Sequence, residues 1–376
     1  LRAFSTFILK VVNRCNIDCD YCYVFNSVDQ SWRTLSPRSS PATAQRAAER
    51  IAEHARTHGI DSIDIVLHGG EPLLAGVEFT RDLLRVLREA LAEVSAIRFE
   101  LQTNATLVSP EWLDLFEAFD VKTSVSLDGP GPMNDRHRLD KRGASTTRSV
   151  ERGIRLLKSR PSIFRGLLAV VDLRNDPAAV HDYLASFEPD VIDFNIPHAT
   201  HDQPPVRFTP AMPEYGVWLS RVFDAWVGDD HRHVVRFAED IMALSCGVKG
   251  SVESLGLAPF RTAVIESDGT FESTDTLRAT AEGQSKLGLD VFRNSLDDVL
   301  DHPSIVLRDG GLESLSDECQ RCSLVEVCGG GYLPHRFSSS NGYRNPSVYC
   351  TDLTYLISHV QRHLDAAGWE VGLRQK

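Results

Sequence analysis

The chain has 376 residues, 42% of them hydrophobic and 24% charged, which suits a soluble globular protein with one large domain and a smaller one. A formal net charge of -12 and a sequence pI near 5.5 argue against duplex nucleic acid or an anionic membrane surface as the main partner, and neither a long apolar run nor a signal-peptide pattern is present. A cytoplasmic protein with a small or peptidic substrate is expected, and in a reducing compartment its eight cysteines are expected to bind metal rather than form disulfides.

Short apolar runs alternate with amphipathic stretches through roughly residue 200, the pattern of repeated β-α units. Strands are expected at 7–12, 62–67, 97–101, 122–126, 165–171 and 191–195, and the intervening segments, such as 42–58 and 80–94, carry apolar residues at helical spacing. Helices between strands force parallel pairing, so the fold class expected is α/β, a partial (β/α)6 TIM barrel followed by a carboxyl-terminal domain. In such barrels reactive groups gather at the carboxyl ends of the strands. A Pro-rich polar stretch over 200–213 reads as a linker, 215–244 as helical, and the turn-rich remainder as a domain organised around metal. The domains read this way are 1–210, 211–260 and 261–376.

Cys15, Cys19 and Cys22 directly follow the first strand. Three thiolates on a cubane leave one iron without a protein ligand, and an open coordination position is where chemistry starts. The alternative for these thiolates is a zinc site completed elsewhere, for example by His68. Polar clusters follow the next strands in turn: Gly69-Gly70-Glu71-Pro72, then Gln102-Thr103-Asn104, then Ser126-Leu127-Asp128-Gly129-Pro130. Taken singly, each also reads as a helix cap or turn. Arg136 and Arg138 come next.

The CxxxCxxC loop with these motifs resembles the radical S-adenosylmethionine (radical SAM) superfamily over about residues 5–200. The resemblance implies a 4Fe-4S cluster on the three cysteines and S-adenosylmethionine on the open iron. It implies that Tyr21 contacts the adenine and that Gly69, Gly70, Glu71 and Pro72 meet the methionine ammonium group. Thr103 and Asn104 then line the pocket, Ser126 and Asp128 stand near the ribose, and Arg138 pairs with the cofactor carboxylate.

Cys319, Cys322, Cys328 and Cys350 form a second set. On their own they fit either a closed 4Fe-4S cluster or zinc. With Cys246, the region resembles the SPASM domain of peptide-modifying radical SAM enzymes, whose pattern ordinarily supports two auxiliary clusters. Here Thr274 and Tyr332 stand where two further cysteines are expected. Both losses fall on the first auxiliary cluster, so one auxiliary 4Fe-4S cluster is expected and Cys246 is left as a free thiol.

Asp275 occupies the position at which sulfatase-maturing relatives carry a catalytic aspartate, and is expected to act as base. The segments 329–336 and 345–350, with Pro197-His198, resemble the FxsB-type branch, whose members join an aromatic carbon to a nearby β-carbon in a precursor peptide, forming a cyclophane. His198 and His335 are candidates for orienting substrate. The function expected is such peptide cross-linking. Formylglycine formation in a sulfatase and thioether formation are the enzymatic alternatives, and an iron-sulfur electron carrier is the non-enzymatic one. Partners implied are a precursor peptide and an external electron donor of flavodoxin or ferredoxin type. With about fourteen residues before Cys15, leader binding is expected to use the catalytic or auxiliary regions, or another protein.

Overall fold

A computed structural model describes residues 3–228, 233–259 and 261–369. Its main strands, in chain order, are β1 (Thr6–Val12), β2 (Ser62–Gly69), β3 (Ala96–Thr103), β4 (Val121–Ser126), β5 (Phe164–Val170), β6 (Val191–Asn195), β7 (Thr262–Ile265), β8 (Thr270–Glu272) and β9 (Lys286–Asp290). The longer helices are α1 (Pro41–His58), α2 (Val77–Ala90), α3 (Pro110–Phe119), α4 (Thr147–Lys158), α5 (Pro177–Ala185), α6 (Glu214–Val227), α7 (Arg236–Ser245) and α8 (Cys350–Ala366). All six strands expected from the alternation form. The segment 215–244 resolves into α6 and α7 instead of one helix.

Two compact units divide the chain. The first comprises Leu1–Leu127, Gly131–Gly166 and Arg261–Val306; the second comprises Asp128–Pro130, Leu167–Phe260 and Leu307–Lys376. The units do not follow the boundaries read along the chain, because β7 pairs in parallel with β1 (Thr6 opposite Thr262, Ile8 opposite Val264). That ladder carries 261–306 into the amino-terminal unit.

In the first unit β1, β2, β3 and β4 pair in parallel, and one apolar row crosses all four: Phe7, Ile65, Phe99 and Val121. Each of these side chains is buried, as a sheet covered on both faces requires. β7 flanks β1 on the other side, with β8 and β9 added antiparallel, so the sheet is mixed and open rather than a closed barrel. α1 shows why its residues start and stop where they do. Ser40 Oγ accepts from the Thr43 N–H at 3.0 Å, Pro41 occupies the first turn, and Gly59 ends the helix in the left-handed conformation. Ala44, Ala47, Ala48, Ile51, Ala52 and Ala55 form its buried stripe.

In the second unit β6 pairs in parallel with the short strand Val234–Val235, and α8 packs on α6 and α7. The Asp352 carboxylate near the start of α8 accepts from the backbone N–H groups of Tyr215 and Gly216 at 2.9 and 3.1 Å and is paired with Arg207. One buried anion thus fixes the amino end of α6 against α8. Among the described residues no helix is long and apolar enough to cross a membrane.

Candidate active site and auxiliary cysteine set

The three-cysteine loop leaves the carboxyl end of β1 and folds back on itself. Ile17–Cys19 forms a short antiparallel pair with Arg138–Asp140, which places Cys19 opposite Arg138. The Cys22 N–H donates to the Cys19 carbonyl at 3.0 Å, and Asn26 Nδ2 donates to the same carbonyl at 2.8 Å. Backbone N–H groups of Ile17, and of Phe25 and Val24, point at the sulfurs of Cys15 and Cys22 respectively. Burial, with the nearby Glu71 carboxylate, pushes the Cys15 thiol up to about 12; burial also raises Cys22, against the pull of those N–H groups and of Lys10 and Arg138. As plain thiols these groups sit in a site that punishes their ionisation. A bound metal cluster reverses that balance by taking the thiolates as ligands.

Glycine at 69 and 70 is dictated by this loop. A Cβ on Gly70 would stand 2.2 Å from the Arg14 carbonyl oxygen, and one on Gly69 2.2 Å from that of Val12. With only hydrogen there, the end of β2 seats directly on the cysteine loop, and the N–H groups of Gly70 and Glu71 donate to the carbonyls of Val12 and Arg14 at 2.7 and 2.9 Å. Glu71 is fully buried. It accepts from the Leu73 N–H at 3.0 Å, as Pro72 opens a short helical turn, and from Thr103 Oγ and the Asn104 N–H at 2.7 and 2.8 Å. Its acidity is weakened by burial and restored in part by those three bonds. Asn104 then reaches the cluster ligands, donating from Nδ2 to Asn16 Oδ1 at 2.9 Å and to Cys15 Sγ at 3.8 Å. The motifs after β1, β2 and β3 thereby become one hydrogen-bonded lattice.

Tyr21 and Arg138 also meet. The Arg138 guanidinium donates to Tyr21 Oη at 2.9 Å, and Arg138 is buried whereas Arg136 is exposed. Ser126, at the end of β4, accepts from Gln102 Nε2 at 2.8 Å. Asp128 belongs to the second unit and accepts from the Val170 N–H at 3.0 Å.

Asp275 opens a turn after β8. Its Oδ2 accepts from Tyr23 Oη at 2.8 Å and lies 2.6 Å from Lys10 Nζ. Burial would raise this carboxyl, but the Lys10 ammonium and His68, with the hydrogen bonds from Lys10 and Tyr23, hold it well below the usual range. Behind the pair, the fully buried Arg278 donates to Glu266 and Glu272 at 2.9 and 2.6 Å, and Lys10 lies 3.6 Å from Glu266. None of Lys10, Tyr23, Glu266, Glu272 and Arg278 was expected from sequence. The signal was a lysine inside the apolar run of β1. His68, named above as a possible zinc ligand, sits beside Asp275 and Lys10.

In the second unit Cys319, Cys322, Cys328 and Cys350 converge closely enough for the other three to act on Cys328, which is pushed up to about 12 by burial first and then by Cys350. None of the eight cysteines is in a disulfide. Gly329, Gly330 and Gly331 take φ of 61°, 79° and 70° in succession, and a Cβ on Gly329 would fall 1.8 Å from the Gly256 carbonyl oxygen. This left-handed run lets the Gly330 N–H aim at the Cys328 sulfur. Cys246 is half-buried at the end of α7. Pro197, His198, Tyr332, His335 and Tyr349 gather: Tyr349 Oη donates to the Pro197 carbonyl at 2.8 Å, and the His335 ring lies 4.9 Å from Tyr349 and 5.6 Å from His198.

Among the described residues, His54, His58 and Asp297 are the set that brings three ligand atoms within 4.8 Å of one another. His54 Nε2 accepts from the Phe4 N–H at 3.0 Å, so its proton sits on Nδ1 and points at Asp297, 2.9 Å away. That nitrogen is a donor, and the trio is a structural tie. A mononuclear zinc needs sulfurs roughly 3.8 Å apart, from bonds of about 2.3 Å, and neither cysteine set is drawn in to that spacing. Both sets, wide and lined by N–H donors to sulfur, fit a 4Fe-4S cluster.

Residues 9–168 match the Radical SAM superfamily. Along most of its length the chain is similar to the serine-type anaerobic sulfatase-maturating enzyme of Klebsiella aerogenes, 28% identical over 333 residues that cover 87% of this chain and 79% of that protein. It is 22% identical to the cysteine-type anaerobic sulfatase-maturating enzyme of Clostridium novyi (strain NT), with 93% of each chain covered. In fold it is similar to native anSMEcpe with bound AdoMet, with a TM-score of 0.82 at 21% identity and coverage of 96% of this chain and 98% of the other. It is also similar to Streptococcus suis SuiB bound to precursor peptide SuiA, with a TM-score of 0.62 at 17% identity and coverage of 93% and 76%. These relatives favour the sulfatase-maturating group over the cyclophane-forming branch. With the matched superfamily residues, the three-cysteine loop and the shared fold in place, the chain is a radical S-adenosylmethionine enzyme that uses a 4Fe-4S cluster.

Proposed function

We propose that this enzyme oxidises a side chain of a peptide at its β-carbon, converting a serine of a sulfatase-type sequence directly to an aldehyde, or a cysteine to a thioaldehyde that water hydrolyses to the aldehyde with release of hydrogen sulfide. The similarity to a sulfatase-maturating enzyme across 93% of both chains carries this reading. Cys15, Cys19 and Cys22 hold the cluster, and Tyr21, Gly69, Gly70, Glu71, Pro72, Thr103, Asn104, Ser126, Asp128 and Arg138 are the proposed cofactor-binding residues. When bound, the cluster and S-adenosylmethionine supply a carbon radical that removes hydrogen from an unreactive C–H bond.

After loss of one hydrogen atom, a closed-shell product requires loss of one electron and one proton. The proposed electron acceptor is an auxiliary 4Fe-4S cluster on Cys319, Cys322, Cys328 and Cys350, and the proposed proton acceptor is Asp275. Tyr23 and Lys10 engage Asp275 Oδ2, which leaves Oδ1 to receive the proton. The same ion pair keeps the carboxylate ionised at neutral pH, at some loss of basicity. Lys10 acts on both Asp275 and Cys22, so this base stands within electrostatic reach of the cluster loop. An electron donor of flavodoxin or ferredoxin type is proposed for the reducing step.

A second reading, cross-linking of an aromatic ring to a β-carbon, is favoured by one observation. Thr274 and Tyr332 occupy positions where the two-cluster pattern has cysteine, and Thr274 Oγ is bonded to Thr276 Oγ at 3.1 Å instead of ligating metal. Mass spectrometry after anaerobic co-expression separates the two. Aldehyde formation confined to serine or cysteine in a sulfatase peptide supports the first. Loss of two hydrogens that covalently joins an aromatic residue to a neighbour in a small gene-adjacent peptide supports the second. Formation of 5'-deoxyadenosine without any change in either peptide sinks both.

A further inference from the structure

Four thiolates on a 4Fe-4S cluster leave a net negative charge, and its burial asks for a counter-charge nearby. Arg336 meets that requirement. It closes the Leu333–Arg336 turn, eight residues beyond Cys328, and is only 4% exposed. Its Nε and Nη1 have no hydrogen-bond partner in the protein. Among the described residues no ion pair forms with Arg336: of the two carboxylates that line the same small cavity, Asp309 is bound by Arg308 Nε at 3.0 Å, and Glu253 is not among the charges that act on Arg336. Burial weighs against its charge, and the groups that favour the charge are the Cys319 and Cys328 sulfurs. Position agrees with electrostatics. Gly330, whose N–H is directed at the Cys328 sulfur, has Arg336 Nη1 3.5 Å from the point where a Cβ would stand.

A guanidinium this deeply buried, with idle donors and no acid paired to it among the described residues, is a costly feature in a protein that holds nothing else there. We propose that Arg336 is the counter-cation of the auxiliary cluster, a positioning residue that donates N–H to its sulfur and raises its reduction potential. The inference rests on the reading that Cys319, Cys322, Cys328 and Cys350 hold a 4Fe-4S cluster. A fixed positive charge favours the reduced, more negative cluster, and so favours withdrawal of an electron from a substrate radical.

The test is an EPR-monitored redox titration of the anaerobically reconstituted full-length protein, following the signal that does not change on addition of S-adenosylmethionine. Arg336→Gln, which keeps a hydrogen-bond donor but removes the charge, is expected to weaken the cluster's hold on its electron about tenfold, a fall of about 59 mV for one electron. Arg336→Lys is expected to fall between Gln and wild type. An Arg336→Gln protein with full iron content and a wild-type potential overturns the proposal. Should the variants fail to assemble the cluster, hyperfine spectroscopy of wild-type protein labelled with 15N-arginine decides: coupling to the reduced auxiliary cluster supports the role, and its absence overturns it. Iron analysis separates the two layers. Wild-type protein with no iron at the second set defeats the auxiliary-cluster reading itself, whereas iron there with an unmoved potential defeats only the role of Arg336.

Discussion

The two cysteine sets surround their thiolates by opposite means. Around Cys15, Cys19 and Cys22 the polar shell comes from distant strand ends: Glu71 after β2, Asn104 after β3 and Arg138 before α4. Around Cys319, Cys322 and Cys328 the shell comes from the next few residues, the left-handed glycines 329–331 and Arg336. The first environment exists only when the parallel sheet is assembled, whereas the second is written largely in one stretch of chain. Removing a strand-end residue should therefore disturb fold and cofactor together, and altering the glycine run should disturb one cluster alone.

The largest effect tests whether the sets are independent. Cys19→Ala is expected to abolish 5'-deoxyadenosine formation, while iron falls from about eight to about four atoms per chain and the auxiliary signal survives. Loss of all iron in this variant would show that the sets assemble as one. Glu71→Ala comes next, because it leaves the N–H groups of Leu73 and Asn104 and the hydroxyl of Thr103 buried without their acceptor. At about 1–3 kcal/mol for each stranded group, with incomplete additivity, a loss of roughly 3–5 kcal/mol in denaturant unfolding is expected. A loss below about 1 kcal/mol would mean that water replaces Glu71, and that the lattice does not hold the strand ends together.

Gly329→Ala probes the other environment. It forces a left-handed backbone on alanine, at about 1–2 kcal/mol, and places Cβ against the Gly256 carbonyl. Iron at the second set should drop while 5'-deoxyadenosine production persists. Asp275→Asn should lower modified peptide about ten-fold or more, and cofactor cleavage much less; equal loss of both would remove Asp275 as proton acceptor. The sign of its pH dependence is fixed by the lowered pKa. A carboxylate held below its usual range contributes stability that is present above the unfolded value, near 3.9, and is lost as pH falls through the folded one. Between pH 6 and 9 Asp275 should add no inflection to product yield, and an inflection absent from Asp275→Asn would contradict the Lys10 pairing.

Strand positions were legible because β1 to β6 are short β-rich runs with helices between, and the cysteine spacings marked both ligand sets without structural help. Pairing was not legible. Nothing in the Thr-Ala-Val-Ile run of β7 says that it lies beside β1, so 261–306 read as part of the carboxyl-terminal region. Glu71 illustrates the limit at the site: the motif was visible and its Leu73 donor is local, but the other two donors that fill its carboxylate, Thr103 and Asn104, come from the end of β3. Lys10 was hidden for the same reason, its partner being Asp275 on a turn after β8.

The smallest expected effect sharpens the comparison most, because it sets a neutral donor against a charged one. Asn104 Nδ2 stands 3.8 Å from Cys15 Sγ and gives its shorter bond, 2.9 Å, to Asn16. An amide dipole at that distance stabilises a thiolate-bound cluster weakly, since N–H···S contacts of this length are second-order and the donor is shared. Asn104→Ser removes the contact while leaving a small polar side chain beside Thr106. The potential of the first cluster should then fall by a smaller amount than Arg336→Gln takes from the second, because a dipole's field decays faster with distance than that of a full charge. Paired redox titrations of the two variants check the ranking. If Asn104→Ser produces the larger shift, donor geometry and not net charge governs these clusters, and the contrast between the two shells must be redrawn on that basis.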